Sequence, residues 1–169
     1  MNYINYDKDT KVSGTFPEIK KLGFCSPNCE MTPFVWGGRL MRLELCWGRE
    51  GNEYVVETTH SLIRDVETGE VVSRTAYGMC FTSGYLEGDT FYVLATVGSG
   101  PNLCGDTIKL YSTKDLVNWE ERILFHREGW EFFNTSLAKG DDGYVLLLEV
   151  GGSPEDDPGK TFTAYFAKS

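Results

Sequence analysis

The sequence predicts an all-β chain built of repeated antiparallel sheets, and three observations carry that expectation. Aromatic residues are 14% of the 169 residues and glycine contributes 19. Aromatic side chains fit pleated surfaces, and glycine supplies the positive φ of tight turns. No segment keeps an apolar 3.6-residue period over several turns, whereas Met41, Leu43, Leu45 and Trp47 alternate with Arg42, Glu44 and Cys46. Finally, the chain repeats itself.

Three segments share one shape, a short strand, a glycine turn and a longer apolar strand: Pro33–Leu45, Ser83–Val97 and Thr135–Val150. Their turn glycines, Gly38, Gly88 and Gly140, recur at about fifty residues, the spacing of one four-stranded propeller blade. Glu87-Gly88-Asp89 and Gly140-Asp141-Asp142-Gly143 are hairpin turns by residue type. The second halves match as well. Thr59–Ser73 and Ile108–Leu124 each read as strand, turn, strand, with Asp65 and Asp115 in equivalent turns and the polar run Glu120-Glu121-Arg122 on an outermost strand. The run Val145–Leu148 reads as an inner strand covered on both faces.

The expected organisation is an N-terminal extension over 1–30, a first blade over 31–78, a second over 79–130 and an incomplete third over 131–169, about two and a half blades in all. Thr161–Ser169 matches Thr107–Thr113 and stops short of the next turn and outer strand. A blade without its fourth strand offers unpaired backbone and a bare apolar face, so homo-oligomers formed through open blade edges are expected.

Composition narrows the partners. The net charge of −9 repels phosphate backbones and anionic lipid, which argues against nucleic acid and membrane surfaces. No apolar stretch approaches the length of a membrane span, and Met1–Lys11 lacks the apolar core of a secretory signal, so a cytoplasmic location is expected. The five cysteines, Cys25, Cys29, Cys46, Cys80 and Cys104, are too few for a disulfide scaffold and read as reduced, packed thiols. The Cys25/Cys29 pair would need two more zinc ligands, and His60 and His126 are the only histidines, so neither a metal nor a cofactor is expected. Gly98-Ser-Gly-Pro lacks the Lys-Ser/Thr of a phosphate loop.

The segment Ser112-Thr-Lys-Asp115-Leu116-Val-Asn118-Trp119-Glu120 resembles the Ser-x-Asp-Leu-x-x-Trp blade signature of the five-bladed glycoside hydrolases, the arabinanase, xylosidase and fructosidase-like enzymes of family 43 and its relatives. Phe34–Glu44 is similar to their first inner hairpin, and the resemblance covers residues 28–169. It implies a partial five-bladed propeller corresponding to the N-terminal half of such an enzyme, with an oligosaccharide or glycoside as ligand. In that family a base Asp opens blade one and a second Asp opens blade three. Thr32 and Asn134 stand at those places here, and the general acid comes from a fourth blade. Two carboxylates about 5 to 9 Å apart are the minimum for ordinary glycoside hydrolysis, and Thr and Asn do not shuttle the proton. The family mechanism therefore does not carry over as it stands.

Other residues remain as candidates. Glu30, the carboxylate nearest Thr32, is either a displaced catalytic base or a solvated loop residue. Glu149 follows an apolar run, where a carboxylate is costly unless paired. It is either a site residue with a raised pKa or the ion-pair partner of an arginine such as Arg42. Glu44, taken as its repeat-equivalent in blade one, has the same two readings. Asn134 could bond a sugar hydroxyl or cap its own strand. Trp36, Trp47 and Trp130 could stack on sugar faces or pack between blades, whereas Trp119 reads as a structural anchor. The acidic loop Gly151–Gly159 could hold calcium or be an exposed turn.

Overall fold

The computed structural model describes residues 28–98, 103–152 and 162–168. The Cys25 end of the cysteine pair, the Ser99–Pro101 stretch and most of the acidic loop lie outside them. The chain is all-β. Its first sheet contains β1 (Cys29–Trp36), β2 (Arg39–Cys46), β5 (His60–Asp65) and β6 (Val71–Thr75), with a small hairpin, β3 (Arg49–Glu50) and β4 (Glu53–Tyr54), inserted between β2 and β5. The second sheet is β7 (Met79–Glu87), β8 (Thr90–Val97), β9 (Thr107–Thr113) and β10 (Glu120–His126), and the third is β11 (Glu131–Gly140), β12 (Gly143–Gly152) and β13 (Thr163–Lys168). Every pairing is antiparallel and each sheet runs in sequence order, the up-and-down meander of a propeller blade. Among the described residues the departure from strand and turn is one 3₁₀ turn, Val56–Thr58. Neither it nor the β3–β4 hairpin was expected, because both lie in a polar stretch without periodicity.

The sheets stack through the faces their alternation makes apolar. Phe34, Met41, Leu43 and Ile63 of the first meet Phe91, Val93, Ala95 and Tyr111 of the second. The Phe34 and Phe91 rings stack there with centroids 3.9 Å apart. The opposite face of the second sheet, through Leu94, Ile108 and Leu110, meets Leu146, Leu148 and Val150 of the third. Burying such side chains stabilises by about 1.5–3 kcal/mol each, so the second sheet, covered on both faces, anchors the stack. β7 lies between β1 and β11, which puts the first strand of each sheet on one common side, the axial side.

Gly84 of β7 shows how tight the first seam is. A Cβ at this position would stand 2.7 Å from Phe91 Cζ and 3.3 Å from Leu43 Cδ2, so a glycine is needed where the two sheets close. Turn chemistry also matches the residue types. Asp65 accepts the backbone N–H groups of Glu67 and Thr68 at 2.9 and 2.7 Å, and Asp115 accepts those of Val117 and Asn118, both at 2.8 Å. These bonds hold both carboxyls below the ordinary aspartate range. Trp119 is the anchor expected of it: its indole N–H donates to Ser73 Oγ at 3.1 Å, tying the β9–β10 turn to the outer strand of the first sheet.

Two expectations need correction. Val145–Leu148 is covered fully on one face only: Leu146 and Leu148 are buried against the second sheet, while Val145 and Leu147 are half-buried on the other side. Glu44 and Glu149 are not repeat-equivalents. The neighbours of both point at the second sheet, which follows the first and precedes the third. The two glutamates therefore face outward on opposite sides of the stack.

Candidate functional site

The first strand of each sheet enters through an irregularity. Register shifts fall between Cys29 and Thr32 in β1, between Cys80 and Ser83 in β7, and on both sides of Phe132 in β11. Glu30 and Phe81 sit in these bulges with φ of 55° and 51°, a left-handed conformation uncommon for such residues. A bulge re-aims side chains that regular alternation would have placed elsewhere. Glu30, Phe81 and Phe133 each stand two residues ahead of a hydroxyl residue, Thr32, Ser83 and Thr135. Those hydroxyls stitch neighbouring inner strands together: the Gly84 N–H donates to Thr32 Oγ1 at 3.1 Å, and Ser83 and Thr135 share a bond at 2.9 Å.

Glu30 is held against the second sheet. Its Oε2 is buried without a hydrogen-bond partner among the described residues. Burial pushes its pKa up to about 7, the backbone N–H of Thr82 opposes that shift, and the charge of Glu149 adds to it. Two carboxylates from different sheets thus feel each other. Glu149, on β12, is oriented from its own sheet: the Asn134 amide Nδ2 donates to its Oε2 at 2.7 Å. Nearby, burial pushes the Cys80 thiol up to about 12, with the Glu30 charge contributing, so this cysteine stays a protonated, packed thiol.

An aromatic row runs along the same bulges. Trp47 meets Tyr54 edge-on at 5.2 Å and Phe81 at 5.7 Å. Phe81 meets Phe133 at 5.0 Å, and Phe133 meets Phe162 at 5.0 Å. Gly151 leaves the space into which Phe133 fits, since a Cβ there would stand 2.2 Å from Phe133 Cε2. Sequence reasoning passed over Phe81, Phe133 and Thr82. For Phe81 and Phe133 the legible signal was an offset of two residues from Ser83 and Thr135, the same as that of Glu30 from Thr32.

The structure bonds Asn134 to Glu149, sets Glu30 within reach of the Glu149 charge and places Trp47 in the aromatic row. Three other candidates are engaged elsewhere. Glu44 is fully buried and ion-paired, with the Arg42 Nε against its Oε1, the Arg64 Nε 3.4 Å from the same atom and the Asn28 amide donating to Oε2 at 2.8 Å. Of the two readings open to it from the sequence, Glu44 takes the arginine-paired one. Trp130 is buried in the second seam beside Phe132 and Tyr165, with the Arg127 guanidinium 4.5 Å above its ring. Trp36 packs on the first seam at the opposite end of β1 from Glu30, about 20 Å along an extended strand. The histidines serve local structure. His60 stacks on Tyr77 at 5.2 Å, and His126 bonds Thr107 at 2.8 Å. Among the described residues no three His, Cys, Asp or Glu side chains gather as metal ligands would.

The class this fold defines is an all-β protein of propeller blades. No family model matches the chain, and no curated protein sequence matches it. Among solved structures it is similar to an exo-β-1,3-galactanase from Clostridium thermocellum, with a TM-score of 0.48 and 12% sequence identity over 83% of this chain. The chain spans 31% of that protein's length.

Proposed function

We propose that this propeller unit binds an oligosaccharide at the axial end of its inner strands and contributes the acid–base pair of a glycoside hydrolase. The observation that supports the reading is the buried Glu30 carboxyl, pushed up to about 7 chiefly by burial, with the charge of Glu149 from another sheet adding to the shift. A carboxyl at that value is protonated often enough at neutral pH to act as an acid. In this reading Glu30 passes its proton to the glycosidic oxygen as the C–O bond breaks. Glu149, steadied by Asn134, acts at the anomeric carbon or on the attacking water. Trp47, Phe81 and Phe133 offer apolar ring surface for the sugar. The Asp-Leu-x-x-Trp resemblance supports the blade architecture on which this reading stands.

A second reading, binding without turnover, is favoured by one observation: Thr32 and Asn134 occupy the places where the resembled enzymes carry aspartates. Release of p-nitrophenol from arabinoside, xyloside and galactoside substrates separates the two. The hydrolase reading expects activity that falls as pH rises through about 7 and is lost in both Glu30→Gln and Glu149→Gln. Saturable sugar binding with no release from any substrate would select the binding reading. Activity unchanged in both variants would remove these residues from the site.

A further inference from the structure

We infer that an internal water molecule bridges the first and second sheets at Glu30, bonding Glu30 Oε2 on one side and Thr82 Oγ1 on the other, and that Thr82 is thereby a positioning residue for the acid. The backbone brings the two residues together. The Gly84 N–H donates to Thr32 Oγ1 at 3.1 Å, which ties β7 to β1. Glu30 stands two residues before Thr32, and Thr82 stands two before Gly84. The Thr82 backbone N–H also bonds the Glu30 carboxyl, so the hydroxyl of the same residue lies beside that carboxyl.

The side chains then need a third party. Glu30 Oε2 and Thr82 Oγ1 are both buried, and neither has a hydrogen-bond partner among the described residues. Thr82 as a whole is 5% exposed. Two polar atoms that lie side by side, miss each other as direct partners and have left bulk water are the ends of a water bridge. Without it each would bear its full desolvation penalty, which buried polar groups rarely do. Ser61 Oγ is buried and unpaired in the same way. Ser61 precedes Ile63 by two residues in a regular stretch of β5, so it faces the second sheet as Ile63 does. Among the described residues, the buried side-chain atoms without a partner therefore all belong to the first seam.

The number of polar atoms selects the occupant. A buried water makes about two to four hydrogen bonds, which this seam supplies. Calcium or magnesium takes about six or more oxygens, which it does not. Water donates to a carboxylate and accepts from a carboxylic acid, so it serves Glu30 in both states, and a hydroxyl turns to match. The titratable groups that Glu30 faces are the Glu149 carboxylate of β12, which adds to the upward shift, and the Cys80 thiol of β7, which burial keeps protonated. A bond donated by water to the charged carboxyl opposes burial and the Glu149 charge, on the same side as the Thr82 N–H.

The test compares the full chain with three variants. Thr82→Val keeps the shape and removes the hydroxyl, Thr82→Ser restores it, and Glu30→Met removes the bond from the other sheet. Relaxation dispersion of the water oxygen nucleus reports long-lived internal waters and is blind to exchanging hydroxyl protons. The parent and Thr82→Ser should give the same amplitude, and Thr82→Val and Glu30→Met should each lose the share of a water. In carbon NMR the Glu30 carboxyl should titrate higher in Thr82→Val than in the parent and return in Thr82→Ser. Unchanged dispersion in Thr82→Val or Glu30→Met overturns the bridge, and a Glu30 titration indifferent to Thr82→Val overturns the positioning role. Glu30→Met still decides the bridge should Thr82→Val fold poorly. The catalytic consequence rests on the hydrolase reading: the alkaline limb of p-nitrophenyl glycoside hydrolysis should move up with Glu30 in Thr82→Val. Neither NMR readout uses substrate, so a chain that shows the water and the shift yet hydrolyses nothing would sink the hydrolase reading and leave the bridge standing.

Discussion

Glu30→Gln should stabilise the protein in alkaline solution and leave it almost unchanged in acid. The Glu30 carboxyl rises from an ordinary 4.5 to about 7 on folding, chiefly by burial. Between those values the folded chain holds a proton that the unfolded chain has released, so stability falls as pH rises through that window. The shift sets a ceiling of roughly 3 kcal/mol. Partial access of solvent to the carboxyl lowers the expected effect to about 2 kcal/mol. Gln keeps the shape of the neutral acid and cannot ionise. Urea unfolding of both proteins between pH 4 and pH 8.5 should give curves that coincide near the acid limit and separate by about 2 kcal/mol above pH 7, with the variant the more stable. A difference that stays constant with pH would refute the reasoning, since it would place the Glu30 carboxyl in solvent. A gain in stability accompanied by loss of hydrolysis is the pattern expected of a residue retained for chemistry.

Three further outcomes follow from the packing. Glu44→Ala leaves Arg42 and Arg64 without their shared buried carboxylate and should cost about 3–5 kcal/mol in urea unfolding. Trp119→Phe removes the bond to Ser73 at a cost of about 1 kcal/mol, whereas Trp119→Ala also opens a void in the first seam and should cost about 3 kcal/mol. Gly84→Ala forces a methyl against Phe91 and Leu43 and should cost about 1–3 kcal/mol, read as a lower melting temperature.

The fold was legible because its signals are local. Alternation along Met41–Leu45, the glycine turns and the Asp65 and Asp115 turns are set by a few neighbouring residues, and each appears where the sequence puts it. Facing was harder. Glu44 lies six residues after Gly38, the last residue of its turn, whereas Glu149 lies seven after Asp142, the last of its own. With the turns aligned, Trp36 opposite Arg39 and Gly140 opposite Gly143, the two positions differ by one residue. A shift of one residue exchanges the faces of a strand. Trp130 illustrates another limit: composition marks an aromatic residue as valuable without saying whether a seam or a ligand takes it. Glu30 and Glu149 could be named from sequence as carboxylates in costly places, but their approach depends on bulges in β1 and β11. Bulges leave little trace in residue type, apart from the repeated spacing before Thr32, Ser83 and Thr135.

The coupling of Glu30 to Glu149 is most directly read by carbon NMR titration of the side-chain carboxyls, assigned by substitution, in the parent protein and in Glu149→Gln. Glu30 should titrate near 7 in the parent and lower, but still above 4.5, once the neighbouring charge is gone, because burial is the larger cause. A Glu30 that titrates near 4.5 in both proteins would contradict the account.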